Sequence, residues 1–183
     1  MMIPEEVIDC LFSDEGESLR KDILVWSNHY KSSIQNYCDI NSISSCLEQL
    51  FRSYPEFRSL FDYRVRRMGR VKNKNIAPQF SRRINLNLNL RELGGGAFIQ
   101  HGSSTWIFAK SIGENLFINQ NVTIGQGKGG APKIGNNVSI RTGAVVVGNI
   151  CIGDNVVINA NAVVNFDVPD NAKVYAQKSV VII

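Results

Sequence analysis

Two histidines are the side chains of this sequence best suited to accept a proton at neutral pH, because free imidazole titrates near neutrality. Their settings differ. His29 stands beside Tyr30 and near Trp26 in an acidic, helix-patterned stretch, where a structural or surface role is expected. His101 sits in Ile99-Gln-His-Gly-Ser-Ser104, just before a regular repeat, where an imidazole could either serve as a general base or fill a corner. Cys10, Cys38, Cys46 and Cys151 show neither CxxC pairing nor His partners at metal-ligand spacing, so free thiols and no zinc site are expected. Gly125-Gln-Gly-Lys-Gly-Gly-Ala-Pro-Lys133 contains four glycines that let backbone approach a ligand closely. It lacks the spacing and the Lys-Ser/Thr ending of a phosphate-binding loop. It reads as a flap over a ligand or as a tolerated insertion.

The elements that position these groups fall into two grammars. Only Gly16 and Gly69 precede residue 94, and the other 13 of 15 glycines follow. Residues 1 to about 70 read as helices. Ser13 or Asp14 is a candidate N-cap for a run through Leu24, Val25 and Trp26. Ile43, Cys46, Leu47 and Leu50 mark a second helix. Tyr54-Pro55 breaks it, and a third is expected from Pro55 to Met68, ended by Gly69. No apolar run reaches the roughly 18 to 20 residues of a membrane span, and Met1 to Leu11 lacks the pattern of a secretory signal, so a cytoplasmic protein is expected.

Beyond residue 110 aliphatic residues recur every six positions: Ile112, Ile118, Ile124, then Ile134, Ile140, Val146, Ile152, Ile158 and Val164. A second series, Leu116, Val122, Val138, Ala144, Ile150, Val156, Ala162 and Val168, keeps the same period. The single ten-residue step, from Ile124 to Ile134, makes the glycine-rich segment a projecting loop. Gly or Asn usually follows the first-series position (Gly113, Asn119, Gly125, Gly135, Gly153, Asn159, Asn165), which suggests left-handed corners there. Such a period is the signature of a parallel β-helix. The fold class expected is α+β: an N-terminal helical segment followed by a β-helix of hexapeptide repeats.

These repeats, with His101-Gly-Ser-Ser-Thr105, Ile118-Asn-Gln-Asn-Val-Thr-Ile-Gly125, the glycine-rich loop, Ile158-Asn-Ala-Asn-Ala-Val-Val164 and Asp167-Val-Pro169, resemble the serine O-acetyltransferase branch of the hexapeptide acyltransferases. The lead-in Leu50-Phe-Arg-Ser-Tyr-Pro-Glu-Phe-Arg-Ser-Leu-Phe-Asp-Tyr-Arg64 is similar to the end of that branch's helical segment. The resemblance implies a left-handed coil, a homotrimer or dimer of trimers, and acetyl-CoA as acyl donor in a groove between coils, with no metal. It places the catalytic base at His101. The donor's thin pantetheine arm asks for small edges, which Gly143, Ala144 and Ala160 supply, and its phosphates ask for cations, available at Lys173 and Lys178; Gly125 and Lys128 of the loop are expected to border the donor as well. The boundaries read are 1–75 for the helical domain, 76–98 for linker and lead-in to the coil, 99–170 for the β-helix with loop 125–133, and 171–183 for the tail.

The chain departs from that branch in three places. Gln100 stands where an acidic residue precedes the histidine. Gly130-Ala131 stand where an Arg-His pair precedes Pro-Lys-Ile, and Ala176-Gln-Lys-Ser-Val180 replaces a Gly-x-Pro-Ala-Arg tail. A free amino acid needs charged clamps at both ends, whereas a sugar hydroxyl needs amides such as Gln100, Asn119 and Gln120. The sequence therefore favours a sugar or surface-polysaccharide acceptor, with L-serine as the alternative. A third reading comes from charge. The net +4 divides into −6 over residues 1–63, +8 over 64–83 and +2 over 84–183. The basic junction would suit a non-catalytic scaffold binding RNA or another anion. No nucleic-acid motif accompanies it, and a solvated helix end and linker is the preferred reading.

Overall fold

The computed structural model describes residues 5–30, 43–69 and 85–177. Four helices precede the coil: α1 (Glu5–Leu11), α2 (Glu17–His29), α3 (Ile43–Ser53) and α4 (Pro55–Val65), with a 3-10 turn at Asp14–Gly16. Ser13 does not cap α2. Its Oγ donates to the Cys10 carbonyl, 2.9 Å away, and so serves the end of α1, while α2 starts from Gly16 without a side-chain cap. Tyr54 is extended and Pro55 opens α4, as the missing proline N–H allows. This helix stops at Val65, earlier than the expected Met68. Cys46 is disulfide-bonded, so the expectation of free thiols throughout fails there, whereas Cys10 and Cys151 form no disulfide. No helix among the described residues is long and apolar enough to cross a membrane.

From Leu86 the chain winds into a left-handed parallel β-solenoid of about five turns. Its first face stacks Leu86–Leu88, Thr105–Ile107, Thr123–Gly125, Val145–Val147 and Val163–Val164. The second stacks Glu92–Leu93, Ser111–Ile112, Lys133–Ile134 and Cys151–Ile152. The third stacks Phe98–Ile99, Phe117–Ile118, Ser139–Ile140, Val157–Ile158 and Lys173–Val174. Every residue of both aliphatic series is buried, so each coil is three hexapeptides around one narrow core.

The left-handed corners fall elsewhere than expected. They are Asn115, Asn137, Asn155 and Asn171 on one edge and Ser104, Asn121, Gly143 and Asn161 on another. The first set forms an amide ladder, each Nδ2 donating to the Oδ1 one coil on at 2.9, 3.0 and 3.1 Å. Gly113, Gly135 and Gly153 are glycine for a different reason, close coil stacking. A Cβ on Gly113 would stand 2.4 Å from Asn136 Oδ1 and 2.8 Å from the Gly135 backbone. Gly113→Ala is expected to cost about 1–3 kcal/mol, as overpacking does, read as a lower urea midpoint.

The cap docks on the first coil through buried polar contacts. Trp26 Nε1 donates to the Ala97 carbonyl at 2.8 Å, and its ring meets Phe98 edge-on with centroids 4.7 Å apart. Asp22 accepts from the Ala97 N–H at 2.8 Å and from Arg64 Nε at 2.7 Å. Arg64 in turn donates to the Leu93 and Gly94 carbonyls.

Candidate active site

The corner joining the third face to the first carries most of the chemistry. Register aligns Ile99, Ile118, Ile140 and Ile158, so the residues that follow them, Gln100, Asn119, Arg141 and Asn159, stack in one column. Ser103, Gln120, Thr142 and Ala160 form the next column, the N–H groups of Asn121, Gly143 and Asn161 donating to the Ser103, Gln120 and Thr142 carbonyls. Seven positions separate Ile99 from Trp106, where five separate Ile118 from Thr123 and Ile140 from Val145. His101 thus stands on a corner two residues longer than those beneath it. Its backbone is left-handed, with φ 54°, and its side chain is exposed and free of hydrogen bonds among the described residues. An imidazole presented in this way is open to a substrate hydroxyl.

Asn119 Nδ2 donates to Gln100 Oε1 at 3.0 Å, and Gln120 offers its carbonyl to the Gly143 N–H at 3.3 Å. Three of the small-edge residues belong to this same stack, and two of them differ from the expectation in detail. Ala144 is fully buried in the prism interior, with its N–H bonded to the Arg141 carbonyl, so it presents no free edge. Gly143 is left-handed, and the space a side chain would take holds Asn161 Oδ1. Ala160 is exposed. Lys173 is exposed on the third face of the last coil, and Lys178 lies outside the described residues.

Gly125, Lys128 and the projecting loop are on a different corner, where the first face turns into the second. The loop is a tight turn closed by a Gly127–Gly130 bridge. The whole width of the first face therefore separates it from His101 in one chain. His29 is exposed with its ring 4.1 Å from that of Phe98, consistent with a packing role. Among the described residues no three metal-ligating side chains cluster.

Two charged groups near this corner escape sequence reasoning. Glu56, in the first turn of α4, packs against Gly102, the residue after His101: its Cγ would lie 3.2 Å from a Cβ there. It makes no ion pair or hydrogen bond among the described residues. Burial, then Tyr54 and last the negative charge of Glu56, push the half-buried Tyr30 phenol up in pKa. Arg141, half-buried, reaches back along the third face until its guanidinium carbon lies 4.6 Å from the Phe117 ring centre, one coil below His101. Glu56 could be found only through docking of the cap, and Arg141 only by aligning its register with Gln100.

Comparison with known proteins agrees with this architecture. The bacterial transferase hexapeptide family (six repeats) matches residues 131–165. A serine acetyltransferase of Synechococcus elongatus is 36% identical over 132 residues, covering 66% of this chain and 54% of that protein. One from Helicobacter pylori is 39% identical over 94 residues, covering 48% and 54%. The chain thus spans about half the length of the curated relatives it matches. Among solved structures, Entamoeba histolytica serine acetyltransferase 1 in complex with L-cysteine superimposes with a TM-score of 0.62 at 25% identity, covering 92% of this chain and 66% of that one. In repeat, solenoid and helical lead-in the chain is thus similar to the serine acetyltransferases of the hexapeptide-repeat superfamily.

Proposed function

We propose that this chain is an acetyl-CoA-dependent O-acetyltransferase whose acceptor is L-serine, with His101 as general base. The observation that carries the reading is His101 on its extended, exposed corner of a coil whose matched relatives are serine acetyltransferases. The sugar or polysaccharide acceptor favoured by the sequence finds no support among those relatives, and the alternative fits them better. The physical objection to serine also weakens once the chain is folded. Glu56 supplies a carboxylate for an ammonium where Gln100 cannot, and Arg141 supplies a cation for a carboxylate where the loop has only Gly130-Ala131.

The transfer is direct. Imidazole takes the acceptor proton as its oxygen adds to the thioester carbonyl, a backbone N–H stabilises the oxyanion, and the proton passes to the departing thiolate. Gln100 and Asn119, already bonded to each other, orient the acceptor, with Gln120 beside them. Donor contacts are assigned to Gly125, Lys128, Gly143, Ala160 and Lys173. A homotrimer accounts for the separated corners. Trp106 and Val163, 52% and 61% exposed, lie on the first face between the two corners. Packing that face against copies of itself brings the His101 corner of one copy to the loop of the next.

The test is thiol release from acetyl-CoA with L-serine set against a panel of nucleotide sugars and oligosaccharides. Turnover with L-serine is expected. Sugar turnover with none on serine would sink the acceptor assignment. Glu56→Gln is expected to raise KM for L-serine by about 10- to 100-fold, the worth of a charged hydrogen bond, with KM for acetyl-CoA unchanged.

A further inference from the structure

The basic junction at the end of the cap has no part in the acyl-transfer reading, yet part of it lines a cavity. A hollow of about 790 Å³ lies where the first face turns into the second, walled on one side by the projecting loop. Into it come Arg67 from the cap, Arg91 and Lys110 from the first two corners, and Lys133 from the end of the loop, against one carboxylate, Glu92. None of these four cations forms an ion pair among the described residues. Arg67 is held by its stacking on Tyr63, 3.7 Å from guanidinium carbon to ring centre, and by donation to the Leu90 carbonyl at 2.7 Å. Lys110 is held by the Asn149 side-chain oxygen beside Gly130. Both are thus fixed by neutral partners, which leaves their charge uncompensated.

A second hollow of about 740 Å³ adjoins the first and shares Arg67, Arg91 and Glu92. Tyr63, whose hydroxyl is buried without a hydrogen-bond partner among the described residues, lines it, with a second carboxylate at Glu15. Each hollow has the size of a small-molecule site. An excess of three positive charges in a concave wall focuses potential on a ligand carrying two or more negative charges, and guanidinium forks match phosphate oxygens.

We propose that this paired cavity is a binding site for a phosphate-bearing small molecule of nucleotide size, with the phosphates among Arg67, Arg91, Lys110 and Lys133 and the remainder toward Tyr63. The site lies across the first face from His101 of the same chain; in the trimer proposed above, the loop that walls it also meets the next copy's His101 corner, and competition with acetyl-CoA tells the two sites apart.

Calorimetric titration of the full chain with pyrophosphate and with ADP tests it, at two salt concentrations. Both bind, more weakly at high salt. The Arg91→Gln/Lys110→Gln double variant, its thermal melt unchanged, loses at least about tenfold in affinity. Lys110→Arg keeps binding within about threefold, and His101→Asn leaves it unchanged. Unaltered binding by the double variant overturns the site. So does capture of poly(U) RNA without measurable binding of either small anion, which would make the cations a surface for a long polyanion. Displacement of pyrophosphate by acetyl-CoA in one-to-one competition overturns it too, since the cavity would then be the donor's own phosphate site.

Discussion

His101→Asn lowers kcat for acetyl-CoA-dependent thiol release by about 10²- to 10⁴-fold, the ordinary worth of a positioned general base, while KM for acetyl-CoA and the unfolding midpoint hold. The choice of asparagine matters. At φ 54° a residue with a Cβ pays steric strain that asparagine tolerates better than alanine, so His101→Ala mixes lost chemistry with a displaced corner. Stability is expected to hold because the imidazole is exposed and makes no hydrogen bond among the described residues. Steady-state kinetics of both variants beside urea melts separate the two effects. If His101→Asn keeps activity within about threefold, the base is another group, and Glu56 across Gly102 is the first candidate.

The coil was legible because its constraint is local and periodic. One inward aliphatic residue per short strand, three strands per turn, leaves a six-residue mark that no helix or open sheet imitates. The mark fades before Ile112 because the His101 corner carries two extra residues, which breaks the spacing at the chemically important place. Backbone angles leave a weaker mark. Glycine satisfies two different demands, a left-handed corner and the absence of a Cβ against the next coil, and the letter alone does not say which. Gly113 answers the second, while Asn115 two residues on takes the left-handed angle.

The site divides along the same line. Register stacks Gln100 on Asn119, whereas His101 stands in the longer corner beside them, which the repeat does not foretell. Glu56 arrives through docking of a helix some forty-five positions earlier in the chain, so no spacing rule reveals it. Arg141 looks like an ordinary surface charge until its register under Gln100 and its contact with Phe117 are known. A loop closing over a ligand at His101 of its own chain is ruled out by geometry, since the two corners lie on opposite edges of the first face.

What keeps Glu56 against Gly102 is the staple between cap and coil, and breaking it has the largest expected effect on stability. Arg64→Met is expected to cost about 3–5 kcal/mol at pH 7.5, because it strands a carboxylate with no exposure to solvent. Burial pushes the Asp22 carboxyl up to about 6 from 3.8, against the opposing pull of Arg64 and of the Ala97 N–H. The native state therefore binds this proton more tightly than the unfolded chain does. Asp22's contribution to stability is full below pH 3.8 and is lost as pH rises through about 6, the reverse of an ordinary salt-bridged aspartate. Removing the guanidinium raises that carboxyl further, so the penalty of Arg64→Met shrinks at pH 5, where Asp22 takes up a proton and leaves no buried charge. Asp22→Asn, which keeps an acceptor for the Ala97 N–H, flattens the slope of stability between pH 5 and 7.5. Urea unfolding of the three proteins at both pH values decides the matter: an Arg64→Met penalty that is equal at both, or below about 1 kcal/mol, means that the pair does not carry the docking of the cap.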